Sequence, residues 1–170
     1  MAILPRSAWA MVRAAGVLLT VVLSRDATAQ ATTAADSTAV VAAAQRLFDA
    51  MARRDTVAAR ALLLPGSQFV SLRSTGQAAT PRQQSDSAFL RSLASGSQRL
   101  LERMWTPTVH VHGALAVVWA PYDFHIDGKF SHCGVDTFSL LHTAGGWQIS
   151  GIVYTVETTG CAASPLGPPQ

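Results

Sequence analysis

Glu102, Asp123, His132, Asp136 and Glu157 are the residues of this chain whose types could do acid–base chemistry on a shared substrate. A carboxylate and an imidazole in a semi-apolar enclosure can take a proton from, or return one to, a carbonyl or hydroxyl compound. Placed on neighbouring strands such side chains lie about 5 Å apart. Carboxylates that close push at least one pKa upward and favour a protonated imidazole. Asp123, His132 and Asp136 are the candidate bases. A structural alternative competes, in which His132 only bridges Asp123 and Glu157 as an ion pair at the rim of a sheet. Other motifs are missing: there is no G-x-S-x-G, no glycine-rich phosphate loop before a helix and no C-x-x-C. His110 and His112 share a face but have no third ligand, so no metal and no cofactor is expected.

These residues are far apart in sequence, and only strand pairing can gather them. The stretch Trp119–Cys161 reads as consecutive antiparallel strands with its turns written out, Asp127-Gly128 and Gly145-Gly146. With Asp127-Gly128 at the centre of a type I′ turn, Ile126 faces Lys129, Asp123 faces His132, Trp119 faces Asp136 and Val117 faces Phe138. With Ala144-Gly145 at the centre of the next turn, His132 faces Glu157, Asp136 faces Val153 and Phe138 faces Gly151. An upstream strand, about Arg99 to Val111, turns at His112-Gly113 and sets Glu102 opposite Asp123. Pro107 interrupts that strand, and a shift of one residue there would flip its faces.

In this register one face carries Leu115, Val117, Trp119, Phe138, Leu140, Trp147, Ile149 and Val153 at one end. Met104, Glu102, Asp123, His132, Asp136 and Glu157 lie toward the other. An apolar floor with a few convergent polar groups describes a site for a small apolar or amphipathic molecule. The expected ligand-binding set is Glu102, Met104, Trp119, Asp123, His132, Asp136, Phe138, Val153 and Glu157, around a cavity of about 300 Å³ or more. The opposite face, with Tyr122, Phe124 and Tyr154, is also apolar and needs cover, which a homodimer would supply.

Upstream, Ser37 reads as a helix cap before the stripe Val40, Val41, Ala44, Leu47, Phe48 and Met51. A second short helix over about Thr56–Leu63 stops at Pro65-Gly66, a strand follows over Gln68–Arg73, and a third helix spans about Ser85–Ala94. Residues 1–29 read as a signal peptide: Arg6 and Arg13, an apolar run from Ala14 to Leu23, then Ala27-Thr28-Ala29. The expected location is therefore secreted or periplasmic, with no membrane attachment after cleavage. Of 13 basic and 10 acidic residues, three and one precede the cut, so the formal charge falls from +3 to +1. That gives no reason to expect nucleic acid as a partner. Residues 30–35 read as a linker and 162–170 as a disordered tail. Cys133 and Cys161 are either a disulfide tying the sheet end to the tail or two half-buried thiols.

Helices followed by a long curved meander that closes on Gly145-Gly-Trp-Gln-Ile-Ser150 resemble the nuclear transport factor 2-like (SnoaL-like) superfamily. The Trp147 strand after its glycine turn is similar to the G-x-W-[KR]-I pattern of such domains. The resemblance implies an α+β domain over residues 36–161, a cone-shaped cystatin-like roll with N-terminal helices packed on a curved antiparallel sheet. It does not imply one activity, because the superfamily holds isomerases, dehydratases, cyclases and members that only bind ligands or dimerise. No catalytic motif of those enzymes aligns here residue by residue. The expectation is an exported ligand-binding cone. The alternatives are a cofactor-independent isomerase, dehydratase or hydrolase using Asp123, His132 or Asp136, and an interaction module using the Tyr122/Phe124/Tyr154 face.

Overall fold

A computed structural model describes residues 25–75 and 78–169. Most of the stretch read as a signal peptide, residues 1–24, lies outside them. Helix α1 (Arg25–Arg53) begins well before Ser37 and takes in residues 30–35. Its apolar stripe is buried as the spacing predicts, with Val40, Ala44, Leu47 and Phe48 in the core. Arg54 ends it at a positive φ of 53°. The Arg54 guanidinium reaches across to the carbonyls of Leu93 and Gln98. Asp55 then caps α2 (Thr56–Leu62), accepting from the Ala58 amide at 2.9 Å. Ser85 caps α3 (Asp86–Ser95) in the same way.

Seven strands follow or interleave: β1 (Leu63–Thr75), β2 (Ala78–Ser85), β3 (Leu100–Met104), β4 (Thr108–His112), β5 (Leu115–Ile126), β6 (Lys129–Thr143) and β7 (Gly146–Val156). They form one sheet in the order β2-β1-β7-β6-β5-β3, with β4 also on β5. The sheet is mixed, not wholly antiparallel as expected, because β1 runs parallel to β7. Strand β2 has no counterpart in the sequence-based expectation: it carries Pro81, which is tolerated on an edge strand. The strand expected over residues 99–111 is split at Pro107 into β3 and β4, with Thr106 at a φ of 41°. The helices lie on the concave side, where Phe48 meets Phe138 edge-on at 5.8 Å. Phe138 is fully buried, worth about 1.5–3 kcal/mol for such a side chain.

Two bulges decide which side chains face that concave side. Asp127 and Gly128 both have positive φ, as a type I′ turn requires, and Ile126 pairs with Lys129 as expected. Ser131 is then an extra residue on β6: His125 pairs with Phe130 but Phe124 pairs with His132. Ser150 is a second extra residue on β7, since Leu140 pairs with Ile149 but Ser139 with Gly151. Each bulge inverts the phase of the residues beyond it and bends the strand. The first hairpin also turns later than expected, pairing His112 with Leu115. Beyond the Pro107 break, Glu102 faces Phe124, not Asp123. The even-numbered residues of β5 consequently point inward. Tyr122, Phe124 and Tyr154, expected on an outer dimer face, line the inside of the cone.

The tail turns back on the outer side. Cys133 and Cys161 form a disulfide, Cys133 bridges Glu157, and Arg103 Nη1 donates to the Gly167 carbonyl at 3.0 Å. The segment read as disordered, residues 162–170, is thus held to the sheet at Gly167, with the disulfide just before it at Cys161.

Candidate functional site

A cavity of about 150 Å³ lies between the helices and the concave sheet. Phe48 and Met51 of α1, Phe69 of β1, Phe89 of α3, and Phe124 and Phe138 of the sheet form most of its wall. Phe69 and Phe89 stack at 4.4 Å and close one side. Glu102, His132, Asp136 and Tyr154 are its ionisable groups. A second hollow of about 420 Å³, lined by Ser71, Arg82 and Gln83, shares Phe69, Gln84 and Tyr154 with the first and lies beside it. The inner chamber alone is half the volume expected for a ligand site.

Glu102 and Asp136 come from β3 and β6, with β5 between them. Glu102 is level with Phe124 and Asp136 with Ala120, so the curl of the sheet is what brings the carboxyls within hydrogen-bonding reach. Asp136 is only 2 % exposed. Its buried Oδ2 receives no hydrogen bond from a protein N–H or hydroxyl. Burial pushes the Asp136 pKa up to about 7. Burial, then the charge of Asp136, holds Glu102 well above the usual carboxylate range. At neutral pH the pair therefore keeps at least one proton, on Glu102. No Lys, Arg or His among the described residues is ion-paired with either carboxyl.

Neighbouring groups are spoken for. Tyr122 donates to the Thr155 carbonyl at 2.7 Å, crossing β6 at Gly134, where a Cβ would collide with Thr155. Burial and the two nearby carboxylates raise the Tyr122 pKa, so it stays a neutral phenol. Burial also raises Tyr154. His132 has its pKa lowered, by burial and then by Arg73, which leaves the imidazole neutral. Its Nδ1 lies 3.0 Å from Ser131 Oγ. The sequence-based expectation of a protonated His132 between carboxylates is thereby reversed.

Of the residues singled out in the sequence, the structure brings Glu102, His132, Asp136 and Phe138 to one cavity. Met104 is on the same face but packs into the core. Trp119 and Val153 are on the outer face, 46 % and 44 % exposed, because β5 and the end of β7 are inverted by the bulges. Asp123 also points outward. It forms a two-pronged ion pair with Arg103, at 2.8 and 2.6 Å, with His125 Nδ1 at 3.6 Å. Glu157 is exposed beside the disulfide. His110 and His112 are exposed on β4, and no metal-ligand cluster occurs among the described residues. The sequence reading missed the contributions of Phe69, Gln84 and Phe89. The stripe on α1 did signal Phe48 and Met51 as inward-facing.

No protein-family model matches the chain, and no curated protein matches it in sequence. Solved structures do match in shape. An NTF2-like protein with a cystatin-like fold from Novosphingobium aromaticivorans superposes with a TM-score of 0.61 at 16 % identity, covering 84 % of this chain and 95 % of that one. A nuclear transport factor 2 superfamily protein from Salmonella enterica gives 0.60 at 14 %, covering 78 % and 98 %. A proposed dehydratase of the NTF2-like family from Streptomyces avermitilis gives 0.58 at 18 %, covering 75 % and 99 %. Helices clasped in a curved sheet, with the cavity between them, are the nuclear transport factor 2-like, cystatin-like fold, and that is the fold of this chain.

Proposed function

We propose that this protein binds a small, largely apolar molecule in the cone, with the Glu102–Asp136 pair as its polar anchor. The observation that carries the reading is a buried carboxyl pair without a protein counter-ion, set in an aromatic-walled chamber with a second hollow beside it. A cavity of about 150 Å³ takes a benzene-sized ligand, so the ligand is one ring wide at its buried end. Anything longer extends past Gln84 and Tyr154 toward Arg82. Export from the cell and a homodimer belong to the same reading. The outer face, where Leu115, Trp119, Leu141 and Val153 are exposed, is the surface a second copy would cover.

A catalytic reading is favoured by one observation, the Asp136 carboxyl titrating near neutrality beside a protonated Glu102. In that reading Asp136 is the base, His132 orients the substrate and Asp123 plays no part. The dehydratase proposed for the Streptomyces avermitilis structure is the reaction class to assay first. Ligand-observed NMR with toluene, phenol and benzyl alcohol tests the pocket. Binding that is lost on Phe138→Trp, which fills the chamber, is expected; three silent probes would defeat the reading.

A further inference from the structure

The inner chamber has more negative charge than the protein balances. Arg103, the cation adjacent in sequence to Glu102, points to the other face and is committed to Asp123 and the Gly167 carbonyl. His132 is neutral. The tyrosines that face the pair, Tyr122 and Tyr154, are phenols. Helices α1 and α3 offer only Leu47, Phe48, Met51 and Phe89 to the chamber. Arg73 and Arg82 are exposed on β1 and β2 and neither lines the chamber, while Arg82 lines the neighbouring hollow. Once Asp136 ionises, at about pH 7, the pair carries one negative charge inside a ring of aromatic faces.

From this we infer that the ligand is a protonated amine on a small ring, its ammonium seated between Glu102 and Asp136 and its ring among the phenylalanines. The inference deepens the proposed function and rests on it. A cation supplies the missing counter-charge and can also lie against aromatic faces, which carry negative potential. A neutral alcohol or carbonyl would satisfy one hydrogen bond and leave the charge as it was. Below about pH 7 binding displaces the Asp136 proton to solvent while Glu102 keeps its own, so that one carboxylate faces one ammonium and the chamber is neutral. Affinity must therefore rise with pH until Asp136 is fully ionised.

The probes are benzylamine, benzyl alcohol and toluene, titrated into the purified full chain by calorimetry. At pH 8 benzylamine should bind at least tenfold more tightly than benzyl alcohol. Its affinity should rise between pH 6 and 8, and two buffers of different ionisation enthalpy should report proton release. Asp136→Asn should weaken benzylamine at least tenfold while toluene changes less than about twofold, which shows that the chamber survives. Toluene or benzyl alcohol binding as tightly as benzylamine would overturn the amine assignment and leave the pocket standing. Three silent probes would overturn both.

Discussion

Asp136 illustrates how one residue can weaken a fold and serve a site. Both members of the pair have pKa values above those of the unfolded chain, about 3.9 for Asp and 4.3 for Glu. Their contribution is complete at a pH below those values and is lost as pH rises through about 7, where Asp136 ionises inside the fold. Glu102→Gln and Asp136→Asn should accordingly each raise stability at pH 8, with little effect at pH 4. Denaturant melts at the two pH values check this, and a loss at pH 8 would contradict the burial argument. Glu102, His132 and Asp136 were legible in the sequence as types on one face. What no residue type announced was the company: Asp123, expected beside His132, lies across the sheet on Arg103.

That misplacement belongs to the strands. Turn chemistry gave the correct start of two hairpins, Ile126 with Lys129 and Thr143 with Gly146. Ser131 and Ser150 then break the count, and a serine in a strand carries no mark of a bulge. The strand most affected is β5, bounded by the Ser131 bulge on one side and the Pro107 break on the other. Its sequence reads inside out, and Tyr122 and Phe124 with it. Edge strand β2 is hidden in the sequence because Ala78–Ser85 has little apolar alternation. The Tyr122 crossing gives a test at this level. Gly134→Ala places a methyl against the Thr155 backbone, and strand β6 must move or the Tyr122–Thr155 bond must break. We expect a loss of about 2 kcal/mol or more, against about 1 kcal/mol for Tyr122→Phe, both read from chemical denaturation.

The whole molecule has two differently used sheet faces. The concave one is filled by helices and holds the cavity. The convex one is shared between the disulfide-anchored tail at one end and the exposed Trp119, Val153, Leu115 and Leu141 at the other. If a second copy covers that apolar end, light scattering will give twice the chain mass, and Trp119→Lys will give the single mass without a change in circular dichroism. A native protein that already scatters as one chain would remove the dimer. The cone came from the resemblance carried by the closing Gly145–Ser150 segment, while the helix-then-meander plan was legible in the sequence, because periodicity and turns specify it. Cavity size was not, since it depends on the curl that the bulges impose.

The parallel pairing of β1 with β7 also sets a schedule. On the ribosome, β1 and β2 are made early, yet the neighbour that joins them to the rest of the sheet is the last in chain order of the seven described strands. Without Gly146–Val156 the sheet order divides into the β1–β2 hairpin and the part built from β6, β5, β3 and β4, each with an open edge. Contacts of such long sequence separation form slowly, and open edges invite pairing with other chains. The final strand thus does for the nascent chain what a zip's last few teeth do for a seam.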